Sequence, residues 1–457
     1  MTALVRYPPG PRGLPVVGEF WHFQRDPLTF LADVQRRFGD MVSIPLFGRR
    51  VTLLARPEFV RYVLVDAGRK FTVGERPVLR EFLGEALLTT DGEVHRRQRA
   101  AVQPAFHRQR VEAYASWMTQ YTEELLTKWR VGERRLLAVD MQELTLRVVT
   151  RSLFNIDLAD YGTDLSRAFT GIIEGRNVTV FPSPFRRWRW RQEQAVRMHA
   201  ARIEGFVHDL IAERRAEGRD HGDVLSLLLF AQDEEGERFS DRALRDQTLT
   251  FLAAGHETTA NALGWTFALL SAHRAVRERL LEELHPKLAD RIPLVQDLPA
   301  LRYLDAVVRE SLRLYPPAWI ISRTVMQAVH LGDYDFPVGS VVLVSPWLMH
   351  RDPRFWEAPL AFRPERWLDS PEPPAASGMY FPFGAGARMC IGMPFAQLEL
   401  RLVLAMILRR FFPEVEAGWD DRPIARVTLR PRQGLPVLIR SVSTQIRETG
   451  GMTTVSL

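Results

Sequence analysis

Cys390, the single cysteine of this 457-residue chain, lies in the segment Phe383-Gly384-Ala385-Gly386-Ala387-Arg388-Met389-Cys390-Ile391-Gly392. A lone cysteine is ordinarily a small buried hydrophobe, but the framing here suits other chemistry. The glycines on both sides permit tight turns and close backbone approach. Main-chain N–H groups can then aim at the sulfur and stabilise a thiolate. A helix expected from Met393 adds the positive end of its dipole. Arg388, two residues earlier, offers a planar guanidinium suited to a carboxylate. Together these residue types point to a stabilised thiolate beside a cation suited to an anionic group.

Three other segments carry chemistry. Ala254-Gly255-His256-Glu257-Thr258-Thr259 sits among small and apolar residues in a long helical run. The Thr258 hydroxyl can reach the carbonyl of Ala254, four residues back, and distort the helix. Glu257 and Thr258 form an acid–alcohol pair able to pass protons. His256 reads as structural. Glu310 and Arg313, three residues apart, share a helix face and can pair. Val307, Val308 and Leu312 flank them, so a buried pair is expected, and such a pair needs further partners. In Asp91-Gly92-Glu93-Val94-His95-Arg96-Arg97-Gln98-Arg99, His95 and Arg99 are one helical turn apart.

The cysteine segment matches the pattern F-x-x-G-x-R-x-C-x-G at all five defined positions. With the other segments in the same order, the chain resembles the cytochromes P-450, from its proline-rich start to Thr428-Leu429-Arg430-Pro431. The resemblance implies a mainly α (α+β) fold, with a long central helix over the heme and small β-sheets to one side. It implies heme b (iron protoporphyrin IX) with Cys390 as the iron ligand. Phe383, Gly386, Arg388, Gly392, Ala254 and Gly255 would border the cofactor, Gly255 leaving room for dioxygen. His95, Arg99 and Arg323 would hold propionates; many relatives carry Trp where this chain has His95. Glu257 and Thr258 would deliver protons. Glu310, Arg313 and Arg366, the last in Phe362–Trp367, would form a structural trio.

The implied reaction inserts one oxygen atom from O2 into an unactivated C–H bond (or C=C) of a lipophilic small molecule: fatty acid, terpene, steroid or polyketide. Electrons would come from NAD(P)H through an acidic ferredoxin or flavodoxin with its reductase. A peroxide-dependent peroxygenase and a non-catalytic heme sensor or lipid binder are the rival readings, and the Glu257–Thr258 pair argues against both. Ala86, Leu87, Leu88, Phe251, Ala254, Ala318, Trp319 and Ile320 are the candidate pocket residues. Their apolar character predicts a lipophilic substrate.

The elements that must position these residues are legible in outline. With 46% hydrophobic and 25% charged residues the composition is that of a globular protein, read as one domain over 1–457. Residues 1–18 form a proline-rich lead-in and 441–457 a polar tail. A hairpin is expected over Met41–Leu54, helices between Pro57 and Val111, and further helices over Val111–Lys128 and Gln192–Arg215. The long helix should be capped at Ser240-Asp241 and run to Ser271. Helices over Ala275–Leu284 and Leu301–Leu314 follow, then strands over Val325–His330 and Val341–Ser345. Ser370–Ser377 reads as a loop, Met393–Phe411 as the last helix, and Val427–Leu429 and Val437–Ile439 as strands.

The net charge of +6 is spread along the chain, which argues against a nucleic-acid partner and for local patches. Arg96, Arg97, Arg401, Arg409 and Arg410 are candidates for a donor-docking face. The basic-aromatic run Arg186 to Arg191 could meet an anionic membrane surface. One cysteine precludes an intrachain disulfide. The sequence shows neither a signal peptide nor a transmembrane anchor, so a cytoplasmic monomer is expected.

Overall fold

The computed structural model describes residues 6–442 except 75–76, 159–164, 166–167, 169–170, 172–189, 233–237, 289–290, 370–372 and 374. The run Arg186 to Arg191, the tail beyond 442 and part of the Ser370–Ser377 loop therefore lie outside the described residues.

The centre of the fold is the helix Asp241–Ala272, 32 residues long and buried on most sides. Its start follows from Ser240, whose hydroxyl accepts from the Ala243 amide at 3.2 Å and satisfies one of the free N–H groups of the first turn. Its main neighbour is the 18-residue helix Leu137–Phe154, which the sequence reading did not identify. That segment carries Thr145, Val148, Val149 and Thr150, whose branched side chains lower helix propensity. Burial against the long helix overrides that preference. The threonines relieve their hydroxyls on the carbonyls four residues back, Thr145 on Met141 at 2.9 Å and Thr150 on Leu146 at 2.7 Å.

Gly255 sets the closeness of this helix pair. A Cβ there would lie 2.7 Å from Val149 Cγ2. The missing side chain thus serves the packing of this helix pair. Ala254, one residue earlier, is the position that faces open space.

Five strands form the main sheet, in the order Met41–Leu46, Arg49–Leu54, Val341–Val344, Ile321–Val325, Phe71–Thr72. The expected hairpin is present, closed by Phe47 and Gly48 with φ of 48° and 71°, the left-handed pair that a tight hairpin requires. The strand expected over Val325–His330 appears earlier, as Ile321–Val325, because it pairs with Val341–Val344 and places Arg323 opposite Val342. One apolar cluster joins this sheet to the cysteine loop through Val325, Val344, Phe381 and Ala385.

Two helix boundaries also differ. Val111–Lys128 is divided at Tyr114 into Arg108–Ala113 and Ala115–Lys128. The last helix ends at Leu408, since Phe411–Val415 leaves it to pair with Pro436–Ser441. Apolar runs of this kind suit helix and strand alike, and the partner decides. Among the described residues no helix is long and apolar enough to cross a membrane.

Candidate functional site

The cysteine loop is built by backbone geometry. The Cys390 amide donates to the Phe383 carbonyl at 2.9 Å. Gly384 and Gly386 hold φ of 72° and 68°, a region in which L side chains are strained. A side chain at Gly386 would also run into the Leu64 carbonyl oxygen. Burial raises the pKa of the Cys390 thiol above its ordinary value; the Gly392 amide, Arg99 and the Met393 amide, the two amides lying at the start of the next helix, act in the opposite direction. Cys390 has accessible surface, yet protein surrounds it on every side. Both are true of a residue that opens onto an interior space.

A cationic cluster stands beside the loop. His95 is 8% exposed, and burial together with Arg388, Arg99 and Arg323 lowers its pKa to about 4. Arg99 donates to the Met389 carbonyl at 3.0 Å. Arg323 is buried on its strand and donates to the Ser322 carbonyl at 2.9 Å. Arg388 donates to the carbonyls of Leu87 and Thr90 and to the Asp91 carboxylate. Three guanidiniums thus converge on one neutral imidazole, an arrangement that attracts a dianion. The residues present fit a heme: carboxylates would meet this cluster and the iron would meet the Cys390 sulfur.

The long helix approaches the loop where Phe251 packs on Phe106, which lies beside Gly392. Thr258 donates to the Ala254 carbonyl at 2.8 Å and Thr259 to that of Gly255 at 3.1 Å. His256 is 1% exposed, its Nδ1 lies 2.6 Å from the Leu252 carbonyl, and its own carbonyl accepts from Thr145. It is structural, as read. Glu257 is turned away from Thr258. Its Oε1 accepts from the Thr428 hydroxyl and from Arg430 Nε, the latter at 2.7 Å. Asn261 donates to the Thr428 hydroxyl at 3.1 Å. The sequence reading quoted Thr428-Leu429-Arg430-Pro431 without seeing that it holds Glu257; no local spacing reveals a partner so remote in the chain.

Glu310 and Arg313 are both fully buried and joined by two hydrogen bonds of 2.9 and 2.8 Å. Arg313 also donates to the carbonyls of His350, Pro359 and Ala361. Glu310 accepts in addition from Arg366 at 3.0 Å, from the Arg363 amide at 3.0 Å and from the Trp367 indole at 2.8 Å. Trp367 and the three carbonyls were not read from the sequence.

The candidate pocket residues divide. Leu88, Ala254 and Ala318 have exposed surface and Ile320 is half-buried. Phe251 packs on Phe106 with ring centres 5.9 Å apart. Ala86 and Leu87 are buried in the turn beneath Leu88. Trp319 is placed elsewhere, in the core of the main sheet with Phe20, Leu31 and Leu343, its indole donating to the Arg426 carbonyl at 2.8 Å.

The expected docking face is also corrected. Arg409 is buried and pairs with Glu123, which also takes Arg410. Arg401 is held by the Gln397 carbonyl and Asp305. Arg97 lies over the Phe239 ring. Arg96 and Arg410 are the exposed members of the five, and Arg96 pairs with Glu93.

Comparison with known proteins agrees with this geometry. The family described as Cytochrome P450 matches residues 8–435. Cyclooctatin synthase of Streptomyces melanosporofaciens is 37% identical over 93% of this chain and 92% of its own. Cyclooctat-9-en-7-ol 5-monooxygenase of the same organism is 36% identical over 92% and 90%. Pentalenene oxygenase of Streptomyces avermitilis is 34% identical over 93% and 95%. Among solved structures, the retinoic acid-bound cyanobacterial CYP120A1 superposes with a TM-score of 0.85 at 28% identity, over 96% of this chain and 100% of that one.

Proposed function

Because the chain belongs to the cytochrome P450 family, whose members are heme-thiolate monooxygenases, we propose that it places one atom of O2 on a cyclic terpene skeleton. The chemistry rests on one observation: Cys390 lies beside Arg99, within a cluster of His95, Arg99, Arg323 and Arg388. The substrate class rests on the relatives, two of which are named for oxidation of a terpene alcohol or hydrocarbon.

When bound, the heme supplies oxygen activation, aided by electron donation from the thiolate. The protein supplies the rest. Gly392 and Met393 hold the thiolate charge with their amides. Arg99, Arg323 and Arg388 would meet the propionates, with His95 among them. Thr258 holds its hydroxyl beside the reacting space, and its bond to Ala254 fixes where that hydroxyl points. Arg430 and Thr428 compensate the carboxylate of Glu257 in the interior. Proton delivery through Glu257 requires it to turn from Arg430 toward Thr258. Electrons come from NAD(P)H through an acidic ferredoxin or flavodoxin, for which Arg96, on the His95–Arg99 helix, is a contact.

Two measurements test this. Thr258→Ala is expected to bind heme and substrate as before, yet to consume NADPH while releasing peroxide in place of product. Coupling equal to that of the parent would remove Thr258 from the proton path. Titration of the ferric holoenzyme with cyclic terpenes, fatty acids and steroids should shift the heme spectrum with the terpenes. Turnover of the bound terpene should add one oxygen derived from O2. A shift confined to fatty acids or steroids would overturn the substrate class.

A further inference from the structure

The face of the long helix that carries Ala254 and Thr258 also carries two polar groups that this reaction does not use. At 100° per residue, Gln247, Thr250 and Thr258 all fall within about 40° of Ala254 around the helix axis. Ala254 is the exposed residue of that face. Gln247 is 0% and Thr250 4% exposed. The carbonyl end of the Gln247 side chain is committed, accepting from the Leu87 amide at 3.2 Å. Its Nε2 and the Thr250 hydroxyl are buried with no hydrogen-bond partner.

Buried amide and hydroxyl groups without partners are costly and uncommon. Thr250 also differs from the threonines further along this helix. Thr258, Thr259 and Thr266 each donate to the carbonyl four residues back, and Thr250 does not. Thr248 lacks a partner too, but it points about 120° away from Ala254 around the axis. The two unsatisfied groups on the face of Ala254 lie about 6 Å and about 10 Å along the axis from it, on the side away from Thr258. Gln247 sits under the segment that presents the exposed Leu88.

We propose that Gln247 and Thr250 form a polar subsite for an oxygen that the substrate already carries. The Gln247 N–H donates to that oxygen, and the Thr250 hydroxyl donates to it or accepts from it. The substrate is then an oxygenated terpenoid, an alcohol or ketone, bound with its oxygen at the end remote from the carbon to be oxidised. An earlier reaction must supply it, either a cyclisation that captures water or a first hydroxylation. The assignment rests on the terpene reading above and narrows it. The Leu87–Leu88 segment closes the subsite in this structure, so entry of the ligand requires that segment to shift.

The test is spectral titration of the holoenzyme with a cyclic diterpene hydrocarbon, its mono-alcohol and the methyl ether of that alcohol. The alcohol is expected to bind on the order of tenfold more tightly than the hydrocarbon, a difference typical of one good hydrogen bond in a closed site. Gln247→Met and Thr250→Val, both close in volume to the parent side chains, should each reduce that preference severalfold without weakening the hydrocarbon. Heme content and the carbon monoxide spectrum confirm folding, and either variant alone suffices. Equal affinity of wild type for alcohol and hydrocarbon, or full retention of the preference by both variants, would overturn the subsite. If no terpene shifts the spectrum, the terpene reading fails separately. A steroid hydrocarbon and its alcohol, titrated against the same variants, then decide the subsite by the same criterion.

Discussion

Cys390→Ser is expected to abolish the absorption near ~450 nm of the reduced, carbon monoxide-bound protein, and monooxygenase turnover with it. The substitution changes one atom. The loop that presents it is held by the Cys390 amide on the Phe383 carbonyl and by the turns at Gly384 and Gly386, none of which involves the sulfur. Arg99, Arg323 and Arg388 remain to attract the propionates. The variant should therefore fold and load heme, with its carbon monoxide band moved to shorter wavelength. An alcohol is far less acidic than a thiol, so the two amides aimed at the sulfur cannot produce a comparable anion at this position. A variant that kept the band would refute the ligand assignment outright.

The second large effect lies away from the cofactor. Arg313→Ala is expected to destabilise the protein by about 3–5 kcal/mol, the cost of leaving a buried carboxylate without its partner. Glu310 is 0% exposed and would keep only Arg366, Trp367 and the Arg363 amide. Three carbonyls, those of His350, Pro359 and Ala361, would lose their donor as well. With typical domain stabilities of about 5–15 kcal/mol, much of the variant should fail to accumulate with heme bound. Arg313→Lys should rescue little, since one ammonium cannot reproduce a planar fork that serves a carboxylate and three carbonyls. Urea unfolding followed by heme absorbance measures this; a midpoint within error of the parent would show that the trio is dispensable.

Comparing these residues shows why parts of the site could be read and others could not. The cysteine loop, the Glu310–Arg313 pair and the Thr258–Ala254 bond involve residues within ten positions of each other. A turn or one helical repeat fixes their relative geometry, so spacing is enough. The helix Leu137–Phe154 was missed because its branched residues favour other conformations in isolation, and only the face of the long helix makes it worthwhile as helix.

What the amino-acid sequence determined by itself was the chemistry: a thiolate loop, an acid–alcohol pair in a buried helix, and basic residues one turn apart beside them. The tertiary structure decided what each charge and each gap is for. Glu257 meets Arg430 across 173 positions, and Gly255 lets Val149 of another helix approach closely. Arg401 and Arg409 look like a docking face until Asp305 and Glu123 arrive to neutralise them. Gln247 and Thr250 look like ordinary helix polarity until burial leaves them without partners. In each case the deciding neighbour is brought in by the path of the chain. Coulomb and hydrogen-bond energies act over a few ångströms in space, whatever the separation in sequence.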